Sequence, residues 1–121
     1  MSRLHSTGKS FTYAFSGVRL ALKNEPNFRI HVFLATLVIL ISVVLKVSAL
    51  EFAVIALTIG FVLILELINT MLEALIDLVS PEIKEKAKIA KDVSAAGVLV
   101  SAVISVIVGG LIFLPKLFLY L

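Results

Sequence analysis

The sequence predicts an all-α membrane protein, with one amphipathic surface helix followed by three transmembrane helices in a single domain over residues 1–121. Three observations carry this. Of the residues, 60% are hydrophobic, against about 45–50% in soluble domains, and the mean hydropathy is +1.14. The apolar residues fall in three long runs, 28–45, 50–79 and 93–114, each able to cross a hydrocarbon core about 30 Å thick. The segment before them, 10–23, instead alternates apolar and polar residues at helical spacing.

In 10–23, Phe11, Ala14, Phe15, Val18 and Leu22 recur every three or four residues, with Thr12, Ser16, Arg19 and Lys23 on the other side. This is the pattern of a helix lying in the membrane interface, where Lys9, Arg19 and Lys23 meet anionic head groups. Gly17 costs about 1 kcal/mol relative to Ala in mid-helix and points to close approach of another helix. Asn24-Glu25-Pro26-Asn27 then breaks the helix, because proline has no N–H and disfavours helical geometry in the residue before it. Glu25 is thereby held at the membrane boundary.

The first span, 28–45, has only Arg29 and His31 as titratable groups. A lone histidine with no partner at ligand spacing reads as an interface residue. The second span, 50–79, is about 45 Å long at 1.5 Å per residue, so its last turns leave the bilayer. Glu66 then sits toward the inner leaflet, Glu73 near the interface and Asp77 close to water. Ser80-Pro81-Glu82 has the chemistry of a helix start, with Ser as N-cap, Pro in the first turn and Glu against the dipole. In the third span Gly97, Ser101, Ser105 and Gly109 recur every four residues, a small-residue face for helix packing. Pro115 and Lys116 end that span, leaving Phe118 and Tyr120 as interfacial aromatics.

The absence of cysteine removes disulfides, thiolate metal sites and thiol nucleophiles. No cleavable signal peptide is expected, since no small-residue cleavage pattern follows the first apolar run. The net charge of +3 does not indicate nucleic acid, because the basic residues gather at helix ends. Arg3, Lys9, Arg19, Lys23 and Arg29 precede the first span, Lys84, Lys86, Lys88 and Lys91 lie between the second and third, and the other ends carry only Lys46 and Lys116. Positive charge inside then predicts a cytoplasmic N-terminus and second loop, with the C-terminus outside.

The chemistry concentrates in E-L-I-N-T-M-L-E-A-L-I-D at 66–77. At about 100° per residue, Glu66, Asn69, Glu73 and Asp77 share an arc of roughly 80° on one helix face. An ionisable group at membrane depth costs at least about 2.5–3.5 kcal/mol, so a stripe of acids implies something that binds them. Carboxylates facing a common boundary suit a hard cation such as Mg2+. Acids for a metal, a lysine for phosphate charge and a half-buried carboxylate to accept a proton are the parts phosphoryl transfer needs. No P-loop or kinase glycine loop is present, so a nucleotide would be held in another way.

With A-K-D-V-S-A-A at 90–96 and N-E-P-N-F-R at 24–29, this stripe closely resembles the prokaryotic diacylglycerol kinase family, which includes undecaprenol kinases. The resemblance spans nearly the whole chain. It implies a homotrimer of three-span subunits in the bacterial cell membrane, with cytoplasmic active sites between subunits that use Mg2+ to transfer the γ-phosphate of ATP to a lipid hydroxyl. By the same resemblance, Glu66 is the general base and Glu25 and Glu73 bind the metal and, through it, ATP. Tyr13, Asn69, Glu82, Lys84, Lys91 and Asp92 surround the nucleotide. Phe15, Val18 and Arg19 on the surface helix, with Glu66, meet the lipid. Val93-Ser94 departs from the enterobacterial pattern, while K-N-E-P-N-F-R-I-H and G-L-I-F-L-P-K-L look like the Gram-positive branch and favour undecaprenol over diacylglycerol. The rival from another class is a non-enzymatic oligomer with an ion or proton pathway lined by Glu66 and Glu73.

Overall fold

The computed structural model describes residues 6–82 and 84–121; Arg3, counted above for orientation, lies outside them. The described chain forms four helices: α1 (Thr7–Asn24), α2 (Pro26–Val44), α3 (Ala49–Val79) and α4 (Glu85–Phe118). By length and composition α2, α3 and α4 can each cross a membrane. The central packing is α3 against α4, with α2 on α3 and α1 on α2. Because α2 and α4 barely touch, a crevice backed by α3 opens between them.

Each junction has a local cause. Ser6 caps α1 by accepting from the Lys9 N–H. Between α1 and α2, Glu25 is extended at φ −112°, and Pro26 occupies the first turn of α2. The guanidinium of Arg29 folds back to donate to the carbonyls of Leu22 and Lys23, each at 2.9 Å, satisfying orphan acceptors at the negative end of α1. At the far end of α2, the Lys46 N–H donates to Val43 O and the Val47 N–H to Ser42 O. This is a Schellman closure, and Lys46 takes the left-handed position at φ 55° that glycine usually fills. Ser48 and Glu51 then form a reciprocal capping box at the start of α3. Glu51 also pairs with Lys116 at 3.0 Å, fastening the start of α3 to the end of α4.

Two expectations are corrected. Ser80 does not start a helix: it closes α3, its N–H donating to Ile76 O at 2.7 Å, while α4 begins only at Glu85. Pro81 excludes helical geometry from Ser80, and the Ser80 hydroxyl donates to Glu82 O instead of capping a backbone N–H. Nor does Pro115 end the last helix, which continues through it to Phe118; so near the terminus the ring costs only one hydrogen bond to the preceding turn. Within the chain no other element comes close at Gly17 or Gly97, where a Cβ would meet nothing within 4 Å. Of the small-residue face, Ser101 is the member fully buried.

Few apolar side chains are buried by the chain itself. Leu57, Leu99 and Val106 remain 75%, 66% and 74% exposed, which in water would be untenable for spans this long but suits helices facing lipid or further protein. The buried positions are instead partly polar: Ser42, Glu66, Asn69 and Ser101.

Candidate functional site

Glu66 lies past the middle of α3 and is 2% exposed. The helix puts it one turn before Asn69 and two before Glu73, so the three project toward the same side. Its Oε2 has no hydrogen-bond partner. The nearest cationic candidate is His31 from the second turn of α2, whose Nε2 lies 4.0 Å from that oxygen. That separation is too long for a hydrogen bond. Glu25 and Glu73 are also close enough to act on Glu66 electrostatically, so the α1–α2 junction delivers its acid to the same end of the bundle as the stripe.

Asn69, 8% exposed, is fixed from two directions. The Ser94 hydroxyl on α4 donates to its Oδ1 at 2.7 Å, and its Nδ2 donates to Glu73 Oε1 at 3.4 Å. The Glu73 carboxylate sets the orientation of this amide: it can only accept, so Nδ2 faces it and Oδ1 is turned to the Ser94 hydroxyl. The stripe ends at Asp77, which is exposed and pairs with Lys91 of α4 at 2.5 Å. One turn before, Lys88 pairs with Asp92 at 2.7 Å.

Except for Asp92, these groups border a cleft of about 230 Å³ where α3 gives way to α4. Asp77, Glu82, Lys84, Lys88 and Lys91 line it, and Glu82 and Lys84 pair across 3.0 Å. Each of the three lysines is matched by a carboxylate, Lys84 by Glu82, Lys88 by Asp92 and Lys91 by Asp77, so the cleft offers an anion its cations only by exchange of these exposed pairs. Of the residues the sequence singled out, the chain therefore gathers Glu25, Glu66, Asn69 and Glu73 at one level and Glu82, Lys84 and Lys91 at the next. Asp92 lies on α4 against Lys88 rather than on the cleft wall. Tyr13, Phe15, Val18 and Arg19 are on α1, exposed, on a helix whose main packing is against α2. Sequence reasoning missed His31, Ser94 and Lys88; the pairing of His31 with Glu66 joins residues 35 apart in sequence on different helices and leaves no local signal.

Among the described residues no three His, Asp or Glu side chains gather as a metal-binding group. Two carboxylates of one chain, Glu25 and Glu73, are nevertheless the donor set Mg2+ commonly takes, one or two carboxylates with substrate phosphates and water completing the shell.

Three helices long and apolar enough to cross a membrane, with a partly buried acid stripe that leads to a cleft of paired charges, define a multi-pass membrane protein. The profile of the family described as prokaryotic diacylglycerol kinase matches residues 12–113, and the chain belongs to that family of lipid kinases. It is 49% identical over 109 residues to a diacylglycerol kinase of Synechocystis, covering 89% of this chain and 62% of that protein. It is 42% identical over 109 residues to the undecaprenol kinase of Bacillus subtilis, covering 90% and 89% of the two. With the diacylglycerol kinase of Escherichia coli K12 the identity is 31% over 99 residues, 82% and 81% of the two chains. The chain thus spans less than two thirds of the Synechocystis relative and most of the other two.

Proposed function

We propose that the chain is an ATP- and Mg2+-dependent lipid kinase that phosphorylates the hydroxyl of undecaprenol at the cytoplasmic face of a bacterial cell membrane. The observation that carries the reading is Glu66, a buried carboxylate with an unpartnered oxygen. Leaving such a group unsatisfied costs about 1–3 kcal/mol, which a substrate hydroxyl at that oxygen would offset.

Glu66 accepts the hydroxyl proton as the lipid oxygen attacks phosphorus. Asn69, clamped by Ser94, keeps Glu73 in place, and Glu25 and Glu73 would hold Mg2+, which when bound would supply charge neutralisation at the phosphates. Lys84 and Lys91 on the cleft balance the rest, Lys91 exchanging Asp77 for a phosphate oxygen, while Glu82, Asp92 and Tyr13 contact the nucleotide. Phe15, Val18 and Arg19 meet the lipid head. These α1 residues lie apart from the cleft of their own chain, as a site completed by a neighbouring subunit in a homotrimer requires.

For the lipid, similarity to the undecaprenol kinase over 89% of its length supports undecaprenol. The second reading, diacylglycerol, is favoured by the higher identity to the Synechocystis protein. Purified protein in nanodiscs, given radiolabelled ATP with both lipids together, should form mainly undecaprenyl phosphate. Mainly phosphatidic acid would establish the second reading, and no lipid product with either lipid would remove the kinase assignment of this chain.

A further inference from the structure

The unpartnered Glu66 oxygen and the His31 imidazole face each other across a gap with a definite size. Their separation is 4.0 Å. An oxygen atom about 2.8 Å from each would make two ordinary hydrogen bonds with an angle at that oxygen of roughly 90°, about 20° tighter than the tetrahedral directions of an alcohol. His31 also forms part of the wall of the apolar crevice between α2 and α4, about 120 Å³ in volume, together with Leu34, Val38, Ile59, Val62 and Leu63. An alcohol oxygen in the gap would therefore have hydrocarbon surroundings for its chain on one side and the acid stripe on the other.

We propose that His31 and Glu66 form a two-sided clamp for the lipid hydroxyl, in which His31 Nε2–H donates to the oxygen while Glu66 Oε2 accepts its proton. The inference rests on the lipid kinase reading above and adds to it a second catalytic residue, on α2. The hydroxyl oxygen has one proton and two lone pairs. The proton passes to Glu66, one lone pair receives the His31 N–H, and the other forms the new bond to the γ-phosphorus as the bond from that phosphorus to the ADP oxygen breaks. His31 keeps its own proton throughout and stabilises the negative charge that builds on the oxygen. A positioned hydrogen-bond donor of this kind contributes about 10²–10³-fold in rate at other oxyanions.

The test is His31→Leu, which fills similar space without a donor, beside His31→Gln, whose side-chain amide can still donate. Each is assayed in nanodiscs with undecaprenol and ATP. The clamp predicts that His31→Leu loses about 10²-fold in kcat for the lipid, with the KM for ATP within twofold of wild type, and that His31→Gln recovers at least tenfold over His31→Leu. A second measurement needs no variant to be active: the Nε2 resonance of 15N-histidine-labelled wild-type protein, assigned by its loss in His31→Gln, should shift with the polyprenol and not with the matching hydrocarbon that has no hydroxyl. If His31→Leu keeps more than a third of the wild-type kcat, if His31→Gln does no better than His31→Leu, or if that resonance ignores the alcohol, the clamp is overturned. Wild-type protein that phosphorylates no lipid would overturn the kinase reading itself, an outcome separate from an active wild type that tolerates His31→Leu.

Discussion

Glu66 and Asn69 are neighbours on one helix face and almost equally buried, yet they are held in opposite ways. Asn69 has hydrogen bonds from Ser94 and to Glu73, whereas one Glu66 oxygen is left open. Glu66→Gln removes the proton acceptor and little else, so it should assemble normally and lose at least about 10²-fold in turnover. Retention of more than a tenth of wild-type turnover would exclude Glu66 as the base. Ser94→Ala acts differently, because it strands the Asn69 oxygen in a buried position at a cost of about 1–3 kcal/mol and frees the amide that steadies Glu73. Its Mg2+ titration midpoint should rise several-fold while kcat at saturating Mg2+ falls less; an unchanged midpoint would detach Ser94 from the metal carboxylates.

The helices themselves are set by their ends. Between α2 and α3 the turn relies on Lys46 in a left-handed conformation, which costs an L-residue about 1–2 kcal/mol. Glycine escapes that cost but loses more chain entropy on folding, so Lys46→Gly should stabilise by a net ~0.5–1 kcal/mol. The check is a rise in thermal midpoint in detergent; a fall would show that the Lys46 side chain contributes more than its backbone strain removes. This turn was legible as a short connection, since only residues 46–49 separate the apolar runs 28–45 and 50–79. The Ser80 turn was misread because Ser-Pro-Glu has the same composition at a helix start as after a helix stop. Which of the two it became depends on whether the Ser80 N–H is already bound to Ile76 O, a fact of α3 rather than of the tripeptide.

For the whole molecule, the burial of the acid stripe does not by itself require a second copy. The chain covers Glu66 and Asn69 with its own α2 and α4. The case for the proposed trimer lies elsewhere, in the α1 residues that stand apart from their own cleft. Mixing inactive Glu66→Gln and Arg19→Ala subunits examines this directly, for a site built from α1 of one chain and α3 of another should regain partial activity in mixed assemblies. No recovery at any mixing ratio would mean that each site is built within one chain.

The sequence alone determined the four-helix membrane architecture and the line of Glu66, Asn69, Glu73 and Asp77, because both follow from composition and from the 3.6-residue period, which act along a single helix. It also placed Glu25 at a break, since proline acts on its immediate neighbours. The tertiary structure decided the rest: that His31 faces Glu66, that Ser94 reaches Asn69 from α4, and that Lys91 meets Asp77 while Lys88 takes Asp92. The physical reason is that, apart from the pairing of Lys88 with Asp92, these contacts cross between helices, where partner choice depends on how far each helix slides and turns against the next. A shift of a single residue on α4 would turn Ser94 away by about 100°.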